Sequence, residues 1–219
     1  MNIRDESEID AAVLCSVNKY SYSNPIVRFF ENMFHREIAR LVADAGTVVD
    51  LCCGMGHHFR YEKGKRVIGV DSSEAWLSVA RRENPWVECI KADAENLPFE
   101  DHAIEAVVMI GAIEHIKNLD NVLRETKRIL KKNTGKFVVG IPCEGAFYRL
   151  GRHFTTARYI RKQFKDYDYI ALCKKEHCND LPFIIRSLKN HFYIKRELWL
   201  PFRIPHASIN ALNIVVCAS

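Results

Sequence analysis

The chain has 219 residues, of which 48% are hydrophobic and 27% are charged, and its formal net charge at pH 7 is +5. This composition is typical of one globular domain with a substantial core and excludes a disordered chain. No apolar run approaches the ~20 residues that cross a bilayer, and the charged start "MNIRDESEID" lacks the apolar centre of a secretory signal, so we expect a cytoplasmic protein without a transmembrane segment.

Helices and strands alternate through the first two thirds of the chain. A helix over 25–46 precedes short runs rich in Val and Ile, which are apolar at consecutive positions as strands covered on both faces are. Two further helices follow these strands: one over 72–84 opens with serine caps, and one over 119–132 is stopped by Gly135. The predicted strands are 47–52 (TVVDLC), 66–71 (RVIGVD), 87–93 (VECIKAD), 103–112 (AIEAVVMIGA) and 135–142 (GKFVVGIP).

This alternation predicts an α/β fold, namely a Rossmann-like open sheet, mostly parallel, with helices on both faces. The end of the chain breaks the pattern. A helix over 180–192 is followed by strands over 193–202 and 210–219 with only a turn between them. Strands joined in this way lie antiparallel, so we predict a C-terminal antiparallel hairpin.

The eight cysteines are scattered through the chain and lie mostly in apolar runs, which favours reduced, packed thiols over disulfides. Only "CKKEHC" has a spacing typical of metal ligands, in Cys173, His177 and Cys178. A second ligand pair at the spacing of a zinc finger is missing, so we predict no metal site.

The segment 48–59, "VVDLCCGMGHHF", follows the first predicted strand and precedes a predicted helix that begins near an exposed His58. In an open parallel sheet, a nucleotide-like ligand binds at the carboxyl end of the first strand. Gly54 and Gly56 allow strained turns and a close approach of the backbone to that ligand. A nicotinamide site needs G-x-G-x-x-G, but Phe59 replaces the last glycine, and no P-loop lysine follows, which weakens both phosphate-binding alternatives.

The same segment resembles the first motif of class I S-adenosylmethionine-dependent methyltransferases, D/E-x-G-x-G-x-G, which stands here as "DLCCGMG" from Asp50 to Gly56. By this resemblance Asp50, Gly54 and Gly56 belong to the cofactor site, and Cys52 takes the place of the family's first glycine. The second strand ends in "VIGVDSS", where the family places an acid for the ribose hydroxyls, here Asp71. A carboxylate can accept both hydroxyl hydrogens.

The stretch "IKADAENLPFEDHAIEAVV" is similar to the family's D-x-x-x-L-P-F-x-D-x-x-F-D-x-V. The resemblance implies that Asp93 receives the adenine amino group and that the backbone N–H of Ala94 meets a ring nitrogen. Ser72 stands where an apolar residue often lies against adenine. The stacking partner is therefore open between Leu97 and Trp76.

The run "GAIEHIKNLDNVLRETKRILKKNTGKFVV" looks like the L-E-H-V…L-x-E-x-x-R-V-L-K-P-G-G run of the same group, and Gly111, its first residue, is assigned to the cofactor site. The matches cover about 46–142 in family order. They resemble most the methyltransferase domains of ubiquinone and menaquinone biosynthesis. The resemblance implies the seven-stranded methyltransferase fold, S-adenosyl-L-methionine as cofactor and S-adenosyl-L-homocysteine as product.

His115 follows the fourth strand, where the cofactor's methyl group should point, and is the candidate catalytic base. Capping or hydrogen bonding to a neighbouring group is the alternative role. The methyl group of a sulfonium is already electrophilic, so the protein's tasks are alignment, exclusion of water and, for a protonated acceptor, removal of its proton.

The basic charge lies in the C-terminal third, because residues 149–219 hold 13 Lys/Arg against 5 Asp/Glu, whereas residues 1–148 hold 19 against 22. This excess is either a solvated face or a surface for an anionic partner. We predict an anionic small-molecule, lipid-intermediate or sugar-intermediate acceptor. The alternatives are an RNA methyltransferase that uses this basic third and a non-catalytic protein that binds the cofactor.

We predict a single methyltransferase domain over residues 1–219. The insertion between the fifth strand and the last helix is long for a plain connection, and such segments often serve as lids over substrate. Its predicted parts are an N-terminal helical cap (1–45), a cofactor-binding half (46–142), an insertion that is a candidate substrate lid (143–180), and a final helix with the hairpin (181–219).

Overall fold

The structure is a computed structural model that describes residues 13–14, 16–17, 20, 23–165 and 167–218. It contains a seven-stranded sheet of order β3-β2-β1-β4-β5-β7-β6, in which β1 to β5 are parallel and β7 is antiparallel to both β5 and β6. The strands are β1 Thr47–Leu51, β2 Arg66–Asp71, β3 Glu88–Lys91, β4 Ala106–Ile110, β5 Lys136–Pro142, β6 Tyr193–Leu200 and β7 Leu212–Ala218. The predicted fold class and its C-terminal hairpin are confirmed.

Helices cover both faces of this sheet, because neighbouring residues of each buried strand point to opposite sides. One face packs against the helices Leu119–Ile129 and Leu181–His191 through a core that includes Val49, Leu123 and Leu188. The other face packs against the helix Pro25–Leu41 through Val48 and Ile38. The helices are α1 Pro25–Leu41, α2 Glu74–Glu83, α3 Leu119–Ile129, α4 Ala146–Arg152, α5 Arg158–Gln163, α6 Tyr169–Glu176 and α7 Leu181–His191. Among the described residues, none of the helices has both the length and the apolar character needed to cross a membrane.

The end of α3 differs from the prediction. The helix ends at Ile129, where Leu130 becomes extended and forms a bridge with Ile104. Gly135 lies farther on, and a Cβ there would lie 2.6 Å from the carbonyl oxygen of Lys131. The glycine therefore lets the chain pass close to the Lys131 backbone before β5 begins, and it does not stop the helix.

The predicted helix after the glycine loop is wrong. Between β1 and β2 the described chain forms only a short 3₁₀ turn at Phe59–Tyr61. The fully buried ring of Phe59 lies against Gly69 of β2 and against Gly56, since a Cβ at either glycine would lie 2.4 Å from the ring. An aromatic side chain thus covers this part of the sheet where a helix was expected.

The insertion is helical, with α4, a π-helical turn at His153–Ala157, α5 and α6. Its C-terminal end is fixed to the turn after β4, because the backbone N–H groups of Cys178 and Asn179 donate to the carbonyl of Glu114 over 2.9 and 3.1 Å. The amide of Asn179 also donates to the carbonyls of Ile113 and Ile116. Residues 1–12 of the predicted cap and Cys15 lie outside the described residues, and the proposed division of the chain stays a prediction.

Candidate active site

A cleft of about 390 Å³ opens at the carboxyl ends of β1 and β4, where open α/β sheets bind ligands. Of the residues that the sequence assigns to the site, this cleft is lined by Asp50, Cys52, Gly54, Gly111 and His115. The structure therefore brings together residues that come from two strand ends and lie about sixty positions apart.

The glycine loop has the left-handed backbone that its motif requires. Cys52, Gly54 and Gly56 all have positive φ, at 58°, 54° and 74°. A Cβ on Gly54 would meet no atom within 4 Å, whereas one on Gly56 would strike Phe59. Gly54 thus presents bare backbone to the cleft, while Gly56 is needed for packing.

Asp71 holds this loop in place. Its Oδ2 accepts a hydrogen bond from the backbone N–H of Gly54 over 2.9 Å, and its Oδ1 accepts one from Ser73 over 2.9 Å at the start of α2. Asp71 lies beside the cleft and is not among its lining residues. Each carboxylate oxygen has a further lone pair, so the group can still accept a hydroxyl hydrogen.

The residues predicted to contact adenine lie farther from the cleft. Ser72, Asp93 and Ala94 do not line it, and Oδ1 of Asp93 accepts a hydrogen bond from the N–H of Glu95 over 2.9 Å. Of the two stacking candidates, Trp76 lines the cleft. The other candidate belongs to the buried core, because Leu97 is only 3% exposed.

Asp50 forms the floor of the cleft at the end of β1. It is 3% exposed, and burial raises its pKa to about 7, although the nearby His58 opposes the shift. A carboxylate in this position lacks the solvation that stabilises its charge. A cationic ligand in the cleft would supply the missing compensation.

His115 lies on the turn after β4, and its protonation pattern follows from one hydrogen bond. Nδ1 lies 3.1 Å from the carbonyl oxygen of Glu176, which can only accept, so Nδ1 carries the hydrogen. Burial lowers the pKa of His115, and the electrostatic effect of the neighbouring His177 lowers it further. The neutral ring therefore has its lone pair on Nε2, which lies 3.9 Å from Oε1 of Glu114.

Glu114 and His177 complete this corner of the cleft. Glu114 is 4% exposed, and burial raises its pKa to about 7. The ring of His177 meets that of His115 edge to face, with centroids 4.6 Å apart, and its Nδ1 lies 2.7 Å from Oε1 of Glu144. The hydrogen bond with His177 holds the pKa of Glu144 below its ordinary value.

The opposite wall of the cleft carries a second polar group that the sequence did not predict. His58, expected as an exposed helix residue, is 2% exposed because its turn folds under α1. Its Nδ1 lies 3.1 Å from Nδ1 of His35, and its Nε2 lies 3.0 Å from Oε1 of Glu62. Glu31, also at the cleft wall, lies 3.7 Å from Nε2 of His35, and burial raises its pKa to about 7.

Basic side chains line a neighbouring cavity in the insertion, which shares Glu144 and His177 with this region. Its cationic residues are Arg149, Arg152 and Lys174. The positive charge found in the C-terminal sequence thus lies in part beside the candidate site.

Comparison with known proteins agrees with this geometry. A family profile described as "Methyltransferase domain" matches residues 49–139. A demethylmenaquinone methyltransferase from Thermotoga maritima is 30% identical over 128 residues, which are 55% of this chain and 56% of that protein. The chain spans about half the length of the curated relatives that it matches.

Solved structures share the fold. The PH0226 protein from Pyrococcus horikoshii has a TM-score of 0.64 and 23% identity over 87% of this chain and 90% of that chain. A geranyl diphosphate C-methyltransferase from Streptomyces coelicolor, solved with Mg²⁺, geranyl diphosphate and S-adenosyl-L-homocysteine, has a TM-score of 0.64 and 15% identity over 99% of this chain and 87% of that chain. Over residues 49–139, which include the glycine loop, the chain is similar to the methyltransferase domains of class I S-adenosylmethionine-dependent methyltransferases.

Proposed function

We propose that the chain binds S-adenosyl-L-methionine and transfers its methyl group in line to a small-molecule, lipid-intermediate or sugar-intermediate acceptor. The proposal rests on one observation: no atom lies near the Cβ position of Gly54 at the carboxyl end of β1, and a hydrogen bond from its N–H to Asp71 fixes this backbone. The S-adenosyl-L-homocysteine bound in the Streptomyces structure supports this cofactor, and the name of the Thermotoga relative supports methyl transfer. The seven described free cysteines suit a cytoplasmic location.

The cofactor would lie between the glycine loop and Gly111. Asp71 would receive the ribose hydroxyls, while Asp93 and the N–H of Ala94 would meet adenine. Asp50 would face the positively charged end of the cofactor, which offsets the cost of its burial. Trp76 is the stacking partner that the lining of the cleft favours over Leu97.

The reaction moves one methyl group and one proton. The bond between the sulfonium sulfur and the methyl carbon breaks, its electron pair stays on sulfur, and a bond forms between that carbon and the acceptor atom. For a protonated acceptor, Nε2 of His115 takes the proton. General base catalysis of this kind contributes about 100- to 10,000-fold.

The acceptor is best described by the charges around the site. Arg149, Arg152 and Lys174 would hold an anionic group in the neighbouring cavity, away from the carboxyl groups next to His115. This arrangement favours an acceptor with its reacting atom at one end and its negative charge at the other. A quinol or lipid precursor with an acidic group has that form.

The experiment supplies cofactor labelled in its methyl group together with separated pools of lipids, water-soluble metabolites and RNA. We expect label in the lipid or metabolite pool. The His115→Ala variant should lose about 100-fold or more of that transfer while binding S-adenosyl-L-homocysteine normally. Replacement of an exposed histidine that lines neither cavity, His206→Ala, is the matched control and should change neither.

Two other outcomes would replace the proposal. Label in RNA alone would establish the RNA methyltransferase alternative. Binding of the cofactor without transfer to any pool would establish a non-catalytic binding protein.

A further inference from the structure

Glu114, His115 and His177 form a compact group of metal-ligand type at the inner end of the cleft. One ligand atom from each residue lies within 4.8 Å of the other two. The first two residues are on the turn after β4, and the third follows α6, more than sixty positions along the chain. Local spacing in the sequence could not reveal this group.

Both imidazoles are oriented as ligands usually are. Nδ1 of His115 donates to the carbonyl of Glu176, and Nδ1 of His177 donates to the carboxylate of Glu144. Histidines that bind metal commonly donate their other ring N–H to a carboxylate or a backbone carbonyl, which fixes the tautomer and the ring. Each neutral ring then has one unprotonated nitrogen to offer.

One oxygen of the Glu114 carboxyl group lacks the hydrogen bond that a buried acid normally makes. This oxygen, Oε2, is buried and has no hydrogen-bond partner among the described residues. An unsatisfied buried oxygen costs about 1–3 kcal/mol. Because this oxygen belongs to the same group as two imidazole ligands, a cation is the partner that satisfies all three residues at once.

We propose that Glu114, His115 and His177 bind a divalent first-row transition metal ion. Two imidazole nitrogens and one carboxylate oxygen suit Zn²⁺, Fe²⁺ or Co²⁺ better than Mg²⁺, which takes oxygen ligands. Ligand atoms about 2.1 Å from such an ion lie about 3.4 Å apart in tetrahedral coordination, so the widest pair, within 4.8 Å here, would close by up to about 1.4 Å.

Three protein ligands leave a coordination position open toward the cleft. This use of the ion rests on the proposed function. An acceptor oxygen in the open position would lose its proton to solvent more readily, because the cation stabilises the resulting anion. In the loaded protein His115 is then a ligand, and the cation activates the acceptor in place of the imidazole. The cation would also lie between the acidic side chains of the cleft and an anionic acceptor, and it would offset the repulsion between their negative charges.

The test is a titration of the full, chelator-treated chain with Co²⁺, followed by its visible absorption spectrum, and with Zn²⁺ by calorimetry. We expect one equivalent to bind, with Zn²⁺ displacing Co²⁺ and excess Mg²⁺ displacing neither. The His177→Ala variant should weaken binding at least 100-fold. Glu144→Gln, which keeps every ligand, should weaken it about 10- to 100-fold.

Two controls separate this site from adventitious binding. His153→Ala removes an exposed histidine of the same insertion and should bind Co²⁺ as the wild type does. Cys178→Ser should also leave binding unchanged, although its sulfur lies 3.5 Å from the carbonyl oxygen of Glu114. Far-ultraviolet circular dichroism of each variant reports whether it folds.

Absence of a Co²⁺ spectrum in the wild type, equal affinity in folded His177→Ala, or loss of binding in Cys178→Ser would each overturn the proposal. Binding of S-adenosyl-L-homocysteine to the metal-free chain is measured in the same samples. That measurement tests the proposed function separately, because the glycine loop needs no metal to bind the nucleoside.

Discussion

Cys52 shows at the scale of one residue how a family motif tolerates a departure. It stands where the family has glycine, and it adopts the positive φ that the position demands. A residue with a Cβ pays about 1–2 kcal/mol for this conformation. The partly buried side chain packs on the core next to β1, which offsets part of that cost. The loop geometry is therefore kept although one glycine is missing.

Sequence patterns are enough to place the glycine-loop residues at the cleft, but they do not place the residues that reach it from distant segments. Asp50, Cys52 and Gly54 follow one strand, so the topology alone brings them to the cleft. Glu31 and His177 reach the same cleft from α1 and from the insertion, and their placement depends on packing between distant segments. Glu31 belongs to no motif, and the spacing within "CKKEHC" grouped His177 with two cysteines and not with Glu114 and His115.

The buried carboxyl of Asp50 should lower the stability of the unliganded protein and strengthen its binding of the cationic cofactor. Because its pKa is raised from 3.8 to about 7, ionisation favours the unfolded chain as the pH rises through that range. Asp50→Asn should raise the free energy of unfolding of the unliganded protein by about 2 kcal/mol at pH 8. The gain should vanish near pH 4 and level off above pH 7.

Urea unfolding between pH 4 and pH 8 measures this gain, and calorimetry should find weaker binding of S-adenosyl-L-methionine to the same variant. A variant that is less stable than the wild type at pH 8 would contradict the buried, uncompensated charge.

At the scale of elements, the segment after the glycine loop is too short for the helix that we expected there. Fourteen residues separate Leu51 from Arg66, and the loop itself uses about half of them. The rest can form barely two turns of helix, at 3.6 residues per turn. By contrast, the five Val- and Ile-rich runs all formed strands. Four of them are largely buried, as their continuous apolar character indicates, whereas β3 lies at the edge of the sheet and exposes Glu88 and Lys91.

A buried ion pair takes over the task of anchoring this turn. Glu62 is fully buried, and its oxygens lie 3.0 Å from Nε2 of His58 and 2.6 Å from Nζ of Lys65. Lys65 also donates to the carbonyl of Val42, just after α1. The turn is thereby tied to the helix that forms one wall of the cleft.

Glu62→Gln should lower the free energy of unfolding by about 2–4 kcal/mol at pH 7, because it leaves buried partners uncompensated. Burial raises the pKa of Glu62, but the hydrogen bonds from His58 and Lys65 outweigh it and hold the pKa below 4.5. The stabilisation is therefore present above pH 4.5 and is lost as the pH falls through the lowered pKa.

Chemical denaturation at pH 7 and at pH 3.5 measures this difference. The control is Glu88→Gln, which breaks an exposed pair with Arg66 and should cost less than about 1 kcal/mol. Equal losses in the two variants would contradict an anchoring role for Glu62.

At the scale of the whole molecule, the strand order brings the two main parts of the candidate site next to each other. Placing β4 next to β1 sets the glycine loop beside the turn that carries His115, and the end of the insertion is bonded to that same turn. The alternation of elements predicted an open, mostly parallel sheet with a final hairpin, but it did not predict this strand order. The position of the insertion was not predictable, because hydrogen bonds from Asn179 to distant carbonyls decide it.

The most direct test of the central claim compares two glycines by calorimetric titration with S-adenosyl-L-homocysteine. Gly54 and Gly64 both have positive φ and open space at the Cβ position, but only Gly54 lines the cleft. Alanine at either site should cause a similar, modest loss of stability. We expect Gly54→Ala to weaken binding at least tenfold and Gly64→Ala to bind as the wild type does. No binding by the wild-type chain, or equal affinity in both variants, would contradict a nucleoside held against the glycine loop.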